Sequence, residues 1–356
     1  MAWLEPGQSV RRWLSGPAFL YGLIVRARHW CYRRRWCVSS RLPCRVVSVG
    51  NVTVGGTGKT PVVILLTEWL LAEGRRVAVL SRGYKRENDA PHCLVSDGVH
   101  LLADSSDAGD EPFLIARRCP TAIVAVGADR VALGRWVLAQ FPVDCMILDD
   151  GFQHLALSRD VDLVLLDATD ASGLDAMVPA GRLREPLTGL ERAAAVVVTR
   201  ADSKEDVEAV YGRLKAAHLP FADAIEIKFP PESLVAISVE TKQSLEWCQG
   251  MKTWVVSGIG NSQSFRRSVA SLGVEIIGET AFSDHHRYHD DDVRKVRADA
   301  QAAGADIVLT TEKDAGKLQP FLRSDDSWWA LRIHAEIVHG EERLRRLIVD
   351  AGASGA

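Results

Sequence analysis

The segment at residues 50–60, GNVTVGGTGKT, constrains this chain more than any other part of its sequence. It follows an apolar run at residues 46–49 and precedes a second apolar run that begins at Pro61, so the pattern predicts a strand, a glycine-rich turn and a helix. Backbone N–H groups of such a turn converge on a polyphosphate, while Lys59 supplies a cation and Thr60 a hydroxyl that can ligate Mg²⁺. The segment therefore predicts a nucleoside triphosphate site.

The match to the strict phosphate-loop pattern is incomplete, because that pattern has glycine at position 53 and this chain has Thr53. A glycine-rich turn between a strand and a helix with no ligand at all is the alternative interpretation. If a nucleotide binds, its phosphates are predicted to contact the end of the turn, namely Gly55, Gly56, Thr57, Gly58, Lys59 and Thr60.

The composition is that of a soluble α/β enzyme. The chain has 356 residues, of which 47% are hydrophobic and 25% are charged, and this length suits about two domains. Its seven cysteines are odd in number and form no C-x-x-C pair, so the sequence suggests neither a disulfide framework nor a zinc site. We expect reduced, cytosolic thiols.

Residues 1–45 differ from the rest of the chain in charge. They hold nine arginines, one glutamate and four of the ten tryptophans. From Phe19 to Cys31 apolar residues recur at helical spacing among arginines, which is typical of an amphipathic helix at a membrane surface. Three other interpretations stay open: a helix docked on the core, a nucleic-acid-binding arm and an arginine-rich transit segment.

From residue 46 onward strand-like and helix-like segments alternate, which predicts a parallel sheet covered by helices. The pattern restarts after Pro230-Pro231 and predicts a second, smaller α/β lobe, with a cleft between the two lobes. We therefore divide the chain into a membrane-facing segment, 1–45, a nucleotide-binding and catalytic domain, 46–225, and a smaller domain that closes the cleft, 226–356.

An apolar strand predicted at 144–149 ends in the paired carboxylates of Asp149 and Asp150. Acidic residues at the carboxyl end of a strand beside a phosphate loop can hold Mg²⁺ directly or through water. A terminal aspartate that only caps the following turn is the alternative.

These features and several further motifs, in order along the chain, resemble the tetraacyldisaccharide 4′-kinase family of lipid A biosynthesis. Besides the phosphate loop, the matching segments are Ser81-Arg82-Gly83-Tyr84, Gly109-Asp110-Glu111-Pro112, Asp149-Asp150-Gly151-Phe152-Gln153-His154, Pro179-Ala180-Gly181-Arg182-Leu183-Arg184-Glu185-Pro186, Ser257-Gly258-Ile259-Gly260, Asp284-His285 and Thr311-Glu312-Lys313-Asp314. The resemblance covers about residues 49–314, and the Thr53 departure is similar to the family's usage.

The resemblance implies a P-loop kinase that uses ATP and Mg²⁺ to phosphorylate the 4′-hydroxyl of a tetraacylated glucosamine disaccharide 1-phosphate, giving lipid IVA. It places the protein at the cytoplasmic face of the bacterial inner membrane, with its partners an acylated lipid substrate and the membrane surface, contacted through residues 1–45. It implies no nucleic acid and no protein partner.

Roles for individual residues follow from the same resemblance. Lys59 pairs with the β- and γ-phosphates, Arg130 and Arg184 steady phosphate charge, and Mg²⁺ is served by Thr60, Asp149, Asp150 and Glu185. Asp110 accepts the proton of the attacking hydroxyl with the help of His285, although Asp110 could instead cap a helix near Pro112 and His285 could simply lie in a turn. Gln153 and His154 contact substrate or brace the loop that contains them.

One competing function is a membrane-associated GTPase or ATPase switch. Thr199-Arg200-Ala201-Asp202 follows a predicted strand and resembles the turn with which many GTPases recognise guanine, with arginine in place of the usual lysine. Ordinary turn chemistry accounts for this segment equally well. A nucleic-acid-binding ATPase is a further alternative, but the chain has no helicase-like motifs.

Overall fold

The computed structural model describes residues 8–220, 223–239 and 241–349. Residues 1–7, with Trp3, and residues 350–356 lie outside the described residues, so the predicted segment 1–45 is described from residue 8. Up to the middle of the larger lobe, the elements in chain order are α1 (Gln8–Arg33), β1 (Arg45–Asn51), α2 (Lys59–Ala72), β2 (Val77–Ser81), β3 (Cys93–Asp97), α3 (Ser105–Ala108), α4 (Asp110–Arg118), β4 (Ile123–Val126), α5 (Arg130–Leu138), β5 (Cys145–Asp149), β6 (Val161–Asp167), β7 (Ala195–Thr199), α6 (Lys204–Ala216) and β8 (Ile225–Lys228).

The remaining elements build the smaller lobe and then return to the larger one. They are β9 (Pro231–Ala236), β10 (Lys242–Gln243), β11 (Lys252–Ser257), α7 (Ser262–Ala270), β12 (Glu275–Ala281), α8 (Asp290–Ala302), β13 (Ile307–Thr311), α9 (Glu312–Leu318), β14 (Trp328–Ile333), β15 (Glu336–His339) and α10 (Glu341–Ile348). Just before β7 the chain forms only a short 3-10 turn, Leu187–Arg192, with Gly189 in its middle, because glycine weakens a longer α-helix.

The larger sheet has nine strands in the order β15-β8-β7-β6-β1-β5-β2-β4-β3. The seven strands from β8 to β4 run parallel, and the two edge strands, β15 and β3, pair antiparallel. The central strands are apolar and buried on both faces, as parallel strands covered by helices must be. The predicted parallel sheet is confirmed.

Strand β1 lies beside β5, with Val49 opposite Asp149. Since the carboxyl ends of neighbouring parallel strands meet at one edge of the sheet, the glycine-rich turn after β1 and the paired carboxylates after β5 lie side by side. This register sets the position of the functional site.

The smaller sheet has six strands in the order β10-β9-β14-β13-β11-β12. Its four strands from β14 to β12 run parallel, and β9 and β10 add an antiparallel edge. Apolar cores lie on both faces of this sheet, which agrees with the predicted second α/β lobe.

The chain changes sheets a few residues after the predicted boundary at 225/226. Strand β8 still belongs to the larger sheet, and the crossing lies between Lys228 and Pro231. The prediction also placed all of 226–356 in the smaller lobe, whereas β15 pairs with β8 and α10 packs on the larger core. Strand β15, Glu336–His339, is short, and its sequence does not show which of the two sheets it joins.

Helix α1 packs along the larger lobe by one side. Ala18 and Gly22 are buried, the Tyr21 hydroxyl donates to the Arg184 carbonyl oxygen at 2.9 Å, and Arg28 donates to the Gln153 carbonyl oxygen at 3.1 Å. The opposite side exposes large apolar side chains: Trp13, Phe19, Leu20, Leu23, Ile24 and Trp30. Among the helices of the described residues, none has the length and apolar character to cross a membrane.

Candidate active site

A cleft of about 1250 Å³ separates the two lobes. The larger lobe contributes the glycine-rich turn, the carboxyl ends of β2 and β5 and the start of α4 to its walls. The smaller lobe contributes the loops after β11, β12 and β13. The predicted cleft therefore exists, and it gathers most of the residues singled out in the sequence.

The glycine-rich turn needs glycine at two positions where the backbone is left-handed. Gly55 has φ of 115° and Gly58 has φ of 80°, and α2 begins directly after Gly58. A Cβ at Gly58 would also lie 2.4 Å from the ring of Phe229, in the crossing between the lobes. Together these constraints explain the glycines at the N-terminus of α2, where backbone N–H groups can bind phosphate.

Thr53 occupies the position where the strict pattern has glycine, and its surroundings explain why. It is buried and pairs with Leu183 in an antiparallel bridge. This extended conformation is open to any residue, and β-branched residues favour it. Threonine in place of glycine at position 53 therefore causes no backbone strain in the turn.

The paired carboxylates after β5 have opposite electrostatic environments. Burial, reinforced by the nearby carboxylate of Glu111, raises the pKa of Asp149 to about 7. Burial alone would also raise the pKa of Asp150, but Lys59 and Arg184 outweigh it and lower the value to about 2. Arg184 donates to Asp150 at 2.9 Å and Lys59 lies 3.6 Å from the same carboxylate. Asp150 is therefore a permanent anion that positions both cations.

The surroundings of Asp149 suit a bound cation. Its Oδ2 accepts from the Ser81 hydroxyl at 2.9 Å, while its Oδ1 is buried and has no hydrogen-bond partner among the described residues. An unpaired buried carboxylate oxygen beside a second carboxylate is a good ligand for Mg²⁺. The described residues contain no cluster of three His, Cys, Asp or Glu side chains that could hold a metal ion.

Asp110 and His285 meet across the cleft. Asp110 is the first residue of α4, whose N-cap is Gly109 with no side-chain cap, so the carboxylate does not cap the helix. Its Oδ2 lies 3.2 Å from Nδ1 of His285. Nε2 of the same imidazole lies 3.3 Å from Nζ of Lys313. Because a lysine ammonium only donates, Nε2 accepts, and Nδ1 carries the proton that it donates to Asp110.

Two charged residues of this site, Glu111 and Lys313, were not assigned roles from sequence. Glu111 accepts from Lys313 at 3.0 Å, which ties the start of α4 to the start of α9. Although burial alone would raise it, the nearby Lys313 and Lys59 hold the pKa of Glu111 below its ordinary value. Both residues stand in motifs that resemble the family, but sequence alone cannot pair residues two hundred positions apart.

Arg184 and Thr60 line the cleft as predicted, but four other predicted residues do not. Glu185 is fully buried and accepts from Arg192 at 2.7 Å and from Gln153 at 2.7 Å. The role of Glu185 at the metal stays a prediction: residues 182–184 run extended beside the glycine-rich turn, so in this structure Arg184 points to the cleft and Glu185 to the opposite side.

Gln153, His154 and Arg130 lie behind the carboxylates and outside the cleft. Gln153 donates to both Glu185 and the Asn51 carbonyl oxygen, so it braces the loop after β1. Arg130 is buried and donates to the Ala128 carbonyl oxygen at 2.8 Å. Burial, with help from Arg130, lowers the pKa of His154 to about 4. These side chains support the site rather than line it.

The turn that resembles a guanine-recognition motif has a structural use. Arg200 donates to the Gly56 carbonyl oxygen at 3.0 Å and forms an ion pair with Asp167. The Thr199 hydroxyl donates to the Thr57 carbonyl oxygen at 2.9 Å. Both side chains hold the glycine-rich turn in place.

Comparison with known proteins decides the family. A family model described as tetraacyldisaccharide-1-P 4′-kinase matches residues 10–352. The chain belongs to this family. Relatives named tetraacyldisaccharide 4′-kinase include one from Anaeromyxobacter sp. (strain Fw109-5), 40% identical over 98% of this chain and 94% of its own, and one from Syntrophus aciditrophicus, 39% identical over 89% and 88%.

A solved structure of the same family has the same fold. This crystal structure of LpxK from Aquifex aeolicus, described as an "apo" form in complex with ATP, has a TM-score of 0.76 and 32% sequence identity, and the match covers 96% of this chain and 99% of that one. The P-loop fold with a second α/β lobe and the kinase interpretation are both confirmed. The alternative of a nucleotide switch is not favoured.

Proposed function

We propose that this chain transfers the γ-phosphate of ATP to the 4′-hydroxyl of a tetraacylated glucosamine disaccharide 1-phosphate, forming lipid IVA. One observation carries the proposal. The glycine-rich turn with the carboxylates of β5 faces the Asp110–His285 pair across a single cleft. A phosphate donor and a hydroxyl acceptor held in this cleft would meet between those two groups.

Phosphoryl transfer asks the protein for positioning and for neutralisation of charge. Backbone N–H groups of residues 55–60 bind the phosphate chain, and Lys59, held by Asp150 and by the Asn51 side chain at 3.5 Å, places its charge beside the outer phosphates. Arg184 is steered to the same region by Asp150. These contacts orient the donor before the acceptor reacts.

The residues that fit a magnesium ion are Asp149, Asp150 and Thr60. A bound Mg²⁺ would supply positive charge to neutralise the phosphate oxygens. Arg130 and Glu185 lie behind the site, where Arg130 donates to the Ala128 carbonyl oxygen and Glu185 accepts from Gln153 and Arg192.

The carboxylate of Asp110 accepts the proton of the attacking hydroxyl. As the sugar oxygen bonds to the γ-phosphorus, its proton passes to the Asp110 carboxylate, and the bond from the γ-phosphorus to the bridging oxygen breaks, leaving its electron pair on ADP. His285 donates from Nδ1 to Asp110 and fixes its orientation. The reaction is balanced without any further reactant.

A membrane role for α1 accompanies this function. The exposed apolar side chains of α1 lie on the side of the helix away from the docked one, and exposed arginines lie at its C-terminal end. Apolar residues with flanking cations suit an anionic lipid surface. We place the enzyme at the cytoplasmic face of the inner membrane, because both ATP and the polar head of the acylated substrate are accessible there.

The test is a transfer experiment with labelled nucleotide. The protein, Mg²⁺ and the acylated disaccharide 1-phosphate are incubated with γ-labelled ATP or GTP, and lipid and free phosphate are separated. The proposal expects label in the lipid with ATP and little without protein. Hydrolysis of GTP that ignores the lipid would support the switch instead.

A further inference from the structure

Lys317 lies between two carboxylates that belong to different lobes. Its Nζ is 3.2 Å from Oδ2 of Asp110 in the larger lobe and 2.9 Å from Oδ1 of Asp314 in the smaller lobe. Its side chain is 10% exposed, and that of Asp314 is fully buried. No motif or resemblance assigned a role to this lysine.

The position of Lys317 is fixed from the smaller lobe. Asp314 is held by the Gly258 backbone N–H at 2.9 Å and by the Thr311 hydroxyl at 2.8 Å, both to Oδ2. The ring of Tyr288 lies 5.3 Å from the ammonium, which suits a cation over an aromatic face. The lysine is therefore a preorganised charge that needs no rearrangement to reach Asp110.

The charge of Lys317 acts on the oxygen that His285 also contacts. His285 and Lys317 both lie 3.2 Å from Oδ2 of Asp110. The other oxygen, Oδ1, has no hydrogen-bond or ion-pair partner in the described part of the chain, so it is the atom suited to receive a proton.

We propose that Lys317 is a positioning residue for phosphoryl transfer: together with His285 it anchors Oδ2 of Asp110, so that Oδ1 is directed to the attacking hydroxyl. The inference rests on the proposed function, because it gives Asp110 the role of proton acceptor. Both lobes are then needed to form the proton acceptor, because Asp110 belongs to the larger lobe and Lys317 and His285 belong to the smaller one.

The charges around Asp110 agree with this role. Three elements bring titratable groups toward Asp110. Helix α9 contributes Lys313, Asp314 and Lys317, the loop before α8 contributes Asp284, His285 and Tyr288, and α4 itself contributes Glu111. Burial alone would raise the pKa of Asp110, but His285, Lys317 and Lys313 hold it below its ordinary value. Loss of Lys317 therefore moves that pKa upward, and the carboxylate becomes easier to protonate as the pH falls.

The experiment compares Lys317→Met, Lys317→Arg and the control Lys295→Met, an exposed lysine of the same lobe. With the acylated disaccharide and ATP, Lys317→Met should lower kcat about 10- to 100-fold, with the KM for ATP within about twofold. The loss should deepen as the pH is lowered. Lys317→Arg should recover most of the activity, and Lys295→Met should match wild type.

A double-mutant cycle separates positioning from a purely structural role. In an Asp110→Asn background, adding Lys317→Met should change kcat by less than about twofold, because the residue that it positions is already disabled. An equal loss in both backgrounds, or no loss in the single variant, would overturn the inference. If Lys317→Met is unstable because Asp314 is left unpaired, Asp314→Asn with Lys317→Met removes both charges and gives the same test. A wild-type protein that phosphorylates no lipid would refute the proposed function instead.

Discussion

Nδ1 of His285 lies 3.2 Å from Oδ2 of Asp110, although the two residues are 175 positions apart and belong to different lobes. The contact crosses the cleft that faces the glycine-rich turn. The proton acceptor is therefore assembled by the packing of one lobe on the other.

Replacing His285 with alanine removes the donor that orients Asp110 but leaves the phosphate-binding turn intact. We expect kcat for lipid phosphorylation to fall about 100-fold, while the affinity for ATP stays within about twofold. Steady-state kinetics and nucleotide titration measure the two quantities. His339→Ala, at an exposed position on β15, is the control. A large loss of ATP affinity in His285→Ala would show that the histidine serves the nucleotide instead.

Glu185 should matter for stability rather than for magnesium. Glu185→Ala removes a fully buried carboxylate and leaves the half-buried Arg192 without its partner, and we expect the free energy of unfolding to fall by about 2 kcal/mol. The Mg²⁺ concentration for half-maximal activity of the folded enzyme should not change. Urea unfolding and a magnesium titration test this, with exposed Glu191→Ala as the matched control. A tenfold higher magnesium requirement would return Glu185 to the metal site.

His154 should make stability depend on pH. Burial lowers its pKa from 6.5 to about 4 in the folded protein, so the unfolded chain binds the proton more readily. The contribution is fully present above pH 6.5 and is lost as the pH falls toward 4. His154→Gln should flatten the pH dependence of the free energy of unfolding between these values by about 1 to 2 kcal/mol, allowing for partial exposure of the ring. An unchanged slope would contradict the assignment.

The exposed side of α1 should drive membrane binding. Replacing Phe19, Leu23 and Ile24 with serine removes apolar area from that side only, and we expect the vesicle-bound fraction to fall at least tenfold. Flotation with phosphatidylglycerol-containing vesicles measures it. A matched control carries serine at three exposed apolar positions elsewhere, Val99, Leu102 and Val338. Equal flotation of both variants would exclude α1 as the lipid contact.

Local sequence patterns predicted the glycine-rich turn and the parallel sheet. The turn after β1 and the carboxylates after β5 could be placed together because parallel strands end at the same edge. Strands β8, β9, β10, β14 and β15 could not be predicted, since their short segments carry weak periodicity.

The site residues divide in the same way. Asp110 and His285 were found only by resemblance, because no spacing rule joins two lobes. Glu185 lies behind the cleft in this structure, and the sequence could not show this, because neighbours in an extended segment point to opposite sides. Lys313 and Lys317 are four residues apart on α9 and so share one side of the helix. That spacing was the available signal for Lys317, but nothing in the sequence shows what the shared side of α9 faces.

Phosphate transfer from ATP to the 4′-hydroxyl of an acylated disaccharide can be observed on the lipid product itself. The most direct measurement is the ³¹P NMR spectrum of the lipid recovered after incubation with ATP, Mg²⁺ and either wild type or Lys59→Met. We expect a second phosphomonoester resonance at the 4′ position with wild type and no such resonance with Lys59→Met. A lipid that keeps only its 1-phosphate after incubation with folded wild type would contradict this expectation.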